Sequence, residues 1–176
     1  AIRAAQLGKT VAIIEREYWG GVCLNIGCIP TKVLLRHAEI ASIVSRHSKA
    51  FGLPEGIAAD FNAAHVRSRE VAQGRIKGVH YLMKKNGIAE FEGSAEFQTA
   101  NAVTVKGSDG SASTQLTFDH AIIATGSVIR TLPGVEINTE AGSRITGYEQ
   151  VVLAEQMPQS LVVIGAGPIG IEFACV

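Results

Sequence analysis

The sequence has few cysteines, no excess of either charge and no long apolar run. Its 176 residues include three cysteines, too few and too odd in number for the disulfide framework of a small secreted protein. We therefore expect a reducing, cytoplasmic setting, where a disulfide is more often redox-active than structural. The opening AIRAAQLGKT lacks the apolar core and cleavage site of a secretory signal. No apolar run approaches the roughly 20 residues of a transmembrane helix.

The charge balance argues against nucleic acid and membrane surfaces as partners. Lys plus Arg number 16 and Asp plus Glu number 16, so the net charge is zero. A predicted helix at about 63–86 does concentrate basic residues, and Tyr81 is the one Phe, Tyr or Trp residue among them, so we interpret the cluster as a solvated helix face. These basic residues are Arg67, Arg69, Arg75, Lys77, Lys84 and Lys85.

The first 15 residues resemble the second half of a nucleotide-binding βαβ unit. AIRAAQLG is typical of a helix end, and TVAIIE, 10–15, of a buried parallel strand that ends on an acid. In such units the terminal acid binds a ribose hydroxyl about 20 residues after the first glycine of the phosphate loop. Glu15 is therefore a candidate ribose ligand, with an ordinary charged strand end as the alternative. The count places the glycine loop before Ala1.

The middle of the chain changes from helices to strands. Helical periodicity predicts helices at about 31–50 and 63–86. From 88 to 127, short β-rich runs predict four strands, which are IAEFEG, AVTV, QLTF and HAIIATG. KGSDGSAS, 106–113, is typical of a hairpin connection, and 130–144 of a surface loop.

A glycine motif follows another apolar run, LVVI at 161–164, which predicts a buried strand. Gly165, Gly167 and Gly170 match G-x-G-x-x-G between this strand and a helix start, the context that a pyrophosphate loop requires. A simple strand-to-helix turn is the alternative. The tail of one dinucleotide unit and the head of another indicate a fragment of a longer protein, truncated at both ends.

Two of the three cysteines, Cys23 and Cys28, have four residues between them in GGVCLNIGCIPTK. They could bind a metal, staple a loop, pack as apolar residues or exchange electrons. Metal binding is disfavoured, because zinc spacings are shorter and the five histidines show no ligand pattern. Two adjacent glycines and a predicted helix start, where the dipole favours a thiolate, support redox chemistry. For Cys175 we expect inert burial.

The segment EREYWGGVCLNIGCIPTK, 15–32, closely resembles the active-site disulfide region of the flavin-dependent pyridine nucleotide–disulfide oxidoreductases. TFDHAIIATGS, 117–127, resembles the second flavin motif of that family, and GAGPIGIEF its nicotinamide loop. The motif CLNIGCIP is similar to that of family members that oxidise dihydrolipoamide. The motif YWGGVC is similar to that of the actinobacterial members of this group. Thr31 departs from the serine that is usual there, and mycothione reductases share CIPTK.

This resemblance implies a fold and a domain division. We expect an α/β, doubly wound (Rossmann-like) FAD-binding domain with an inserted or appended antiparallel β meander. It would occupy residues 1–150, without its first strand and phosphate loop, and residues 151–176 would begin an NAD-binding domain.

The resemblance also implies the roles of the site residues. Cys23 and Cys28 would form a reversible disulfide, with Cys23 exchanging with dihydrolipoamide and Cys28 against the flavin. Electrons would pass to FAD and then NAD. The remaining expected cofactor contacts are Glu15 at the FAD ribose, Ala95 at the adenine, Thr125, Gly126 and Ser127 at the middle of the flavin nucleotide, and Gly165, Gly167, Gly170 and Glu172 at NAD.

Lys32 and Glu172 are expected to pair beside the flavin. Lys32 lies four residues after Cys28, so both would share a helix face. A lysine there would stabilise reduced flavin and would need a carboxylate partner to offset its desolvation.

Partners and rivals follow from the same resemblance. The substrate would be dihydrolipoamide on the lipoyl domain of 2-oxoacid dehydrogenase complexes. The longer protein from which this sequence comes would be a homodimer, and its general base would lie outside residues 1–176. Alternatives are another disulfide reductase of the family, of mycothione or glutathione type, a flavin-free thiol–disulfide protein, and a non-catalytic nucleotide-binding module.

Overall fold

A computed structural model describes residues 1–108, 113–140 and 142–176. The chain forms two compact units. The first comprises Ala1–Gly21 and Arg75–Ser127, and the second Val22–Gly74 and Val128–Val176. None of the helices in the described ranges has the length and apolar character needed to span a membrane. The division expected near residue 150 remains a prediction.

The first unit contains a parallel strand pair and an antiparallel meander. Helix α1 (Ile2–Gln6) precedes β1 (Ala12–Glu15), and the unit continues through β2 (Ala89–Glu92), β3 (Ser94–Thr99), β4 (Ala102–Lys106) and β5 (Thr114–Thr117). Strands β1 and β2 pair in parallel, and β3, β4 and β5 follow one another antiparallel. The β-branched strand β4 is the buried centre of the meander, where Val103 and Val105 pack in the core.

The second unit is helical in its described part. It contains α2 (Val22–Ile26), α3 (Cys28–His47), a 3₁₀ turn (Ser48–Phe51), the start of α4 (Phe61–Lys85), α5 (Tyr148–Val152) and α6 (Pro168–Cys175). Ile26, Leu34, Ala72 and Val152 belong to its buried apolar residues. Helices α3 and α6 are in contact, so the helix that begins at Cys28 meets the helix that follows the glycine motif.

The structure confirms the α/β class, with both parallel and antiparallel sheets. The two long helices form as predicted, although α3 begins at Cys28 rather than near residue 31. Pro30 causes no break, because the first turn of a helix needs no donor from that residue. The predicted hairpin connection joins antiparallel β4 and β5, and its residues 109–112 lie outside the described ones.

Two predicted strands are wrong. Residues 120–126 and 161–164 form no strand, and their apolar side chains are exposed, at 89% for Ile122 and 87% for Val162. An apolar run becomes a strand only where a neighbouring backbone completes the hydrogen-bond ladder, and among the described residues neither run pairs with a strand.

The expectation of a buried Cys175 is also wrong. This thiol is free and exposed at the end of α6, a helix with no fully buried residue. An apolar sequence therefore does not by itself bury a helix, since burial needs a surface on which to pack.

Candidate functional site

The cysteine pair lies where two helices meet in the second unit. Cys23 is in α2, Cys28 is the first residue of α3, and the two form a disulfide with their Cα atoms 4.7 Å apart. This separation falls inside the roughly 4.4–6.8 Å range of protein disulfides, so the predicted pairing is confirmed. Both residues are exposed, so a thiol in solution can reach the pair. At the start of the 20-residue helix α3, the helix dipole favours a thiolate on Cys28.

Gly27 fixes the distance between the two helices. A Cβ atom at this position would lie 2.8 Å from the Cα atom of Cys23 and 3.0 Å from the carbonyl oxygen of Val22. Both are backbone atoms, which cannot rotate aside. Only glycine therefore allows α2 and α3 to approach closely enough for this placement of the cysteines.

Thr31 secures the same junction from within α3. Its backbone N–H and its hydroxyl both donate to the carbonyl oxygen of Gly27, at 3.1 and 2.7 Å. The side chain is buried, so the departure from the usual serine adds a methyl group to a closed site. The residue thus holds the turn that presents Cys28.

Arg69 provides a contact that the sequence did not reveal. Its Nη1 donates to the carbonyl oxygen of Asn25, between the two cysteines, at 2.9 Å. Burial lowers the pKa of its guanidinium. Arg69 therefore differs from the solvated helix face that we predicted for the basic residues of α4. Only the fold brings it to a segment 44 residues earlier in the chain.

The glycine motif has part of the geometry of a phosphate loop, since a helix follows it, although residues 161–164 before it form no strand. Gly165 adopts a φ of 120°, and a Cβ at Gly170 would lie 2.1 Å from the carbonyl oxygen of Gly165. No atom lies within 4 Å of a Cβ built on Gly167, so the backbone faces open space there. The first glycine thus makes the turn, the third allows close packing, and the second leaves room for a ligand. Helix α6 follows, with Gly167 as its N-cap and Pro168 in its first turn.

Lys32 and Glu172 form an ion pair, as predicted. The Nζ of Lys32 on α3 donates to Oε1 of Glu172 on α6. An ion pair therefore links α3, which begins at Cys28, to α6, which follows the glycine motif. Lys32 is largely exposed and Glu172 is about a quarter exposed, so the pair lies at the surface of this unit.

The remaining predicted residues lie in the first unit. Glu15 ends β1, and its Oε1 accepts the backbone N–H groups of Glu17 and Tyr18 at 3.0 and 3.1 Å. Ala95 pairs with Val105 within the meander. Residues 125–127 are exposed, with a φ of 76° at Gly126. The structure brings Cys23 and Cys28 together and pairs Lys32 with Glu172, all in the second unit. Glu15, Ala95 and residues 125–127 belong to the first unit.

No cluster of three or more potential metal ligands exists among the described residues. Paired sulfurs and a glycine-rich turn at the start of α6 are the chemical features of the described residues. They define a class of protein that combines a disulfide with dinucleotide binding.

Residues 1–176 match the pyridine nucleotide-disulphide oxidoreductase family. The chain belongs to this family, which confirms the resemblance found in the sequence.

Its relatives include two named enzymes of actinobacteria. The chain is 49% identical over 176 residues to the dihydrolipoyl dehydrogenase of Mycobacterium tuberculosis. It is 48% identical over 177 residues to that of Corynebacterium glutamicum. Each alignment covers 100% of this chain but only 37% and 36% of the relative. The chain therefore spans little more than a third of the length of these relatives.

Two solved structures have a similar fold. LpdA from Mycobacterium tuberculosis superposes with a TM-score of 0.75 at 19% identity, over 90% of this chain and 34% of that one. The HOCl-induced flavoprotein disulfide reductase RclA from Escherichia coli gives 0.75 at 26% identity, over 98% of this chain and 35% of that one.

Proposed function

We propose that this chain is part of a dihydrolipoyl dehydrogenase, which oxidises dihydrolipoamide to lipoamide through Cys23 and Cys28, with FAD as carrier and NAD as final acceptor. One observation carries the proposal. The exposed disulfide includes Cys28, the first residue of α3, and one turn later Lys32 pairs with Glu172 on the helix that follows the glycine loop. The named relatives supply the substrate class.

The residues of the chain fit the two nucleotides. The open space beside Gly167, at the N-terminus of α6, suits the pyrophosphate of NAD. Glu15 keeps Oε2 for a ribose hydroxyl, since its other oxygen accepts two backbone N–H groups. We assign Ala95 and residues 125–127 to the rest of the FAD site. FAD, when bound, would take two electrons from the reduced cysteine pair and pass them to NAD.

The cysteines would perform a thiol–disulfide exchange. A thiolate of dihydrolipoamide attacks Sγ of Cys23, a new S–S bond forms, and Cys28 leaves as a thiolate. The second thiol of the substrate then attacks the substrate sulfur of this mixed disulfide and displaces Cys23. The substrate loses two electrons and two protons, and the cysteine pair gains the electrons. The start of α3 stabilises the Cys28 thiolate, which makes it a good leaving group.

The partners and setting follow the same assignment. We propose that the substrate arrives on the lipoyl domain of a 2-oxoacid dehydrogenase complex, that the protein is a homodimer, and that it works in the cytoplasm. The balanced charge argues against a broad nucleic-acid-binding surface.

The test uses the protein with its natural flanking sequence. Cys23→Ser and Cys28→Ser should each lower dihydrolipoamide-dependent NAD reduction by on the order of a thousandfold or more, because the relay loses one sulfur. Cys175→Ser is the matched control, since that thiol is exposed and outside the disulfide. It should retain full activity. Activity that survives either of the first two changes would overturn the mechanism, and a colourless purified protein would favour a flavin-free thiol–disulfide protein or a nucleotide-binding module.

A second candidate, another disulfide reductase of the family, rests on Thr31. This threonine is shared with mycothione reductases, and here it is buried against the turn before Cys28. Assays with dihydrolipoamide, mycothione disulfide and glutathione disulfide separate the candidates. Preference for either of the last two would replace the primary assignment.

A further inference from the structure

Arg69 of α4 donates a hydrogen bond to the segment that separates the two cysteines. Its Nη1 lies 2.9 Å from the carbonyl oxygen of Asn25, which is two positions after Cys23 and three before Cys28. Asn25 is only 9% exposed, so the contact lies within the second unit rather than on its surface. A positive charge from a distant part of the sequence is therefore fixed near the two sulfurs.

The charge of Arg69 is not neutralised by an ion pair. Among the described residues, no ion pair includes Arg69. Glu70 and Glu155 line the same groove as Arg69, but Glu70 pairs with Arg67 instead. A guanidinium keeps its proton in proteins, so the lowering of its pKa by burial does not remove the charge. Arg69 therefore carries a full positive charge that acts on the groups around it.

This charge lies at the end of α2 where negative charge collects. The carbonyl groups in the last turn of a helix give that end a partial negative charge, and a cation there is favourable. Asn25 is the penultimate residue of α2, and Cys28 begins α3 only three residues later. The end of α2 by itself would oppose a thiolate on Cys28, which the start of α3 favours. Arg69 offsets the opposing contribution.

We propose that Arg69 is a positioning residue for the redox reaction, which holds α2 through Asn25 and whose charge stabilises the reduced form of the Cys23–Cys28 pair. The disulfide is neutral. Reduction adds two electrons and, where Cys28 remains a thiolate, one proton, so the pair gains one negative charge. A fixed cation therefore raises the reduction potential of the pair. The proposal rests on the redox role proposed for the cysteines, but it requires neither the flavin nor the lipoyl substrate.

The size of the effect follows from the distance. Two residues span at most about 7 Å, so the hydrogen bond to Asn25 places the guanidinium within about 10 Å of the cysteine sulfurs. A unit charge at this distance, in surroundings between protein interior and water, changes an equilibrium about threefold to tenfold. For a two-electron couple this is about 15–30 mV. Loss of the charge should lower the reduction potential by that amount.

Redox buffers of dithiothreitol measure this equilibrium directly. The protein with its natural flanking sequence is equilibrated without oxygen at known ratios of reduced to oxidised dithiothreitol and quenched with acid, and its free thiols are labelled and counted by mass spectrometry. Dithiothreitol loses two electrons and two protons as it closes to its cyclic disulfide, and the cysteine pair gains the electrons. Cys175 is free, so it is labelled at every ratio and serves as the internal reference.

Three substitutions of Arg69 separate its charge from its packing. Arg69→Gln keeps an N–H donor without the charge, and Arg69→Met keeps only the apolar stem. Both should lower the equilibrium constant for reduction about threefold to tenfold. Arg69→Lys keeps the charge and should stay within about twofold of the unmodified protein. The matched control is Arg67→Gln, which removes an exposed cation from the same helix and should leave the equilibrium unchanged.

The outcomes distinguish this proposal from the proposed function. An unchanged equilibrium in Arg69→Gln and Arg69→Met would overturn the proposal, and so would a shift in Arg69→Lys as large as theirs, because packing rather than charge would then be the cause. A pair that dithiothreitol cannot reduce in the unmodified protein would contradict the redox role of the cysteines itself, and the proposal would fall with it.

Discussion

Replacing Gly27 by alanine tests whether the junction between α2 and α3 is as tight as the structure shows. The new Cβ would lie 2.8 Å from the Cα atom of Cys23, about 0.6 Å short of ordinary contact. Because the opposing atoms belong to the backbone, the two helices would have to separate. Overpacking of this kind costs about 1–3 kcal/mol, and alanine is also a poorer N-cap than glycine. The change should therefore lower Tm, by about 2–12 °C if residues 1–176 are unfolded by themselves.

The matched control is Gly74→Ala, which makes the same chemical change inside α4. No atom lies within 4 Å of a Cβ at Gly74, so the methyl group meets no obstacle. Alanine should stabilise the helix there by about 0.5–1 kcal/mol. Thermal unfolding of the oxidised protein, followed by circular dichroism, compares the two. If Gly27→Ala proved as stable as Gly74→Ala, the argument from backbone contact would fail.

Three further predictions concern single charges. Lys32→Met should slow flavin reduction by dihydrolipoamide about tenfold or more in stopped-flow absorbance, because it removes the positive charge expected to stabilise reduced flavin. The control is Lys49→Met, an exposed change in the same unit that should leave the rate unchanged. Equal rates for the two variants would rule out this role of Lys32. Glu15→Gln should preserve the fold but weaken FAD retention about tenfold, since a charge-assisted hydrogen bond to the ribose is lost. The amount of flavin released during gel filtration measures this retention. Undiminished retention would contradict the assignment of Glu15 to the ribose. The hydrogen bond and charge of Lys106 lower the pKa of Glu96, so the pair stabilises the fold above the ordinary glutamate pKa and loses that effect as the pH falls. Lys106→Met should raise the pKa of Glu96 in a carboxyl NMR titration, and an unchanged value would show that the pair does not persist in solution.

The sequence predicted those features that depend on neighbours in the chain. The helices α3 and α4, the strand that ends at Glu15, and the hairpin between β4 and β5 follow from periodicity and turn residues. The cysteine pair and the glycine motif follow from their spacing and their position at helix starts. These are local signals, and a single segment carries each one.

Features that depend on strand pairing or on distant contacts were missed. Strand β3, which is exposed along its whole length, has no burial pattern to reveal it and exists because β4 pairs with it. The apolar runs at 120–126 and 161–164 do not become strands because pairing is absent among the described residues. The contact between Arg69 and Asn25 joins segments that no periodicity connects.

The short spacing of the cysteines decides what reduction does to the fold. The bond between Cys23 and Cys28 closes a loop with a sequence separation of 5, whereas structural disulfides often enclose tens of residues. The chain entropy that it removes from the unfolded state is correspondingly small, about 2 kcal/mol by the usual loop relation. The hydrogen bonds from Thr31 to Gly27 at the start of α3, and from Arg69 on α4 to Asn25 on α2, involve no sulfur and do not depend on this bond. Reduction of this bond therefore removes less stabilisation than the opening of a disulfide that closes a long loop.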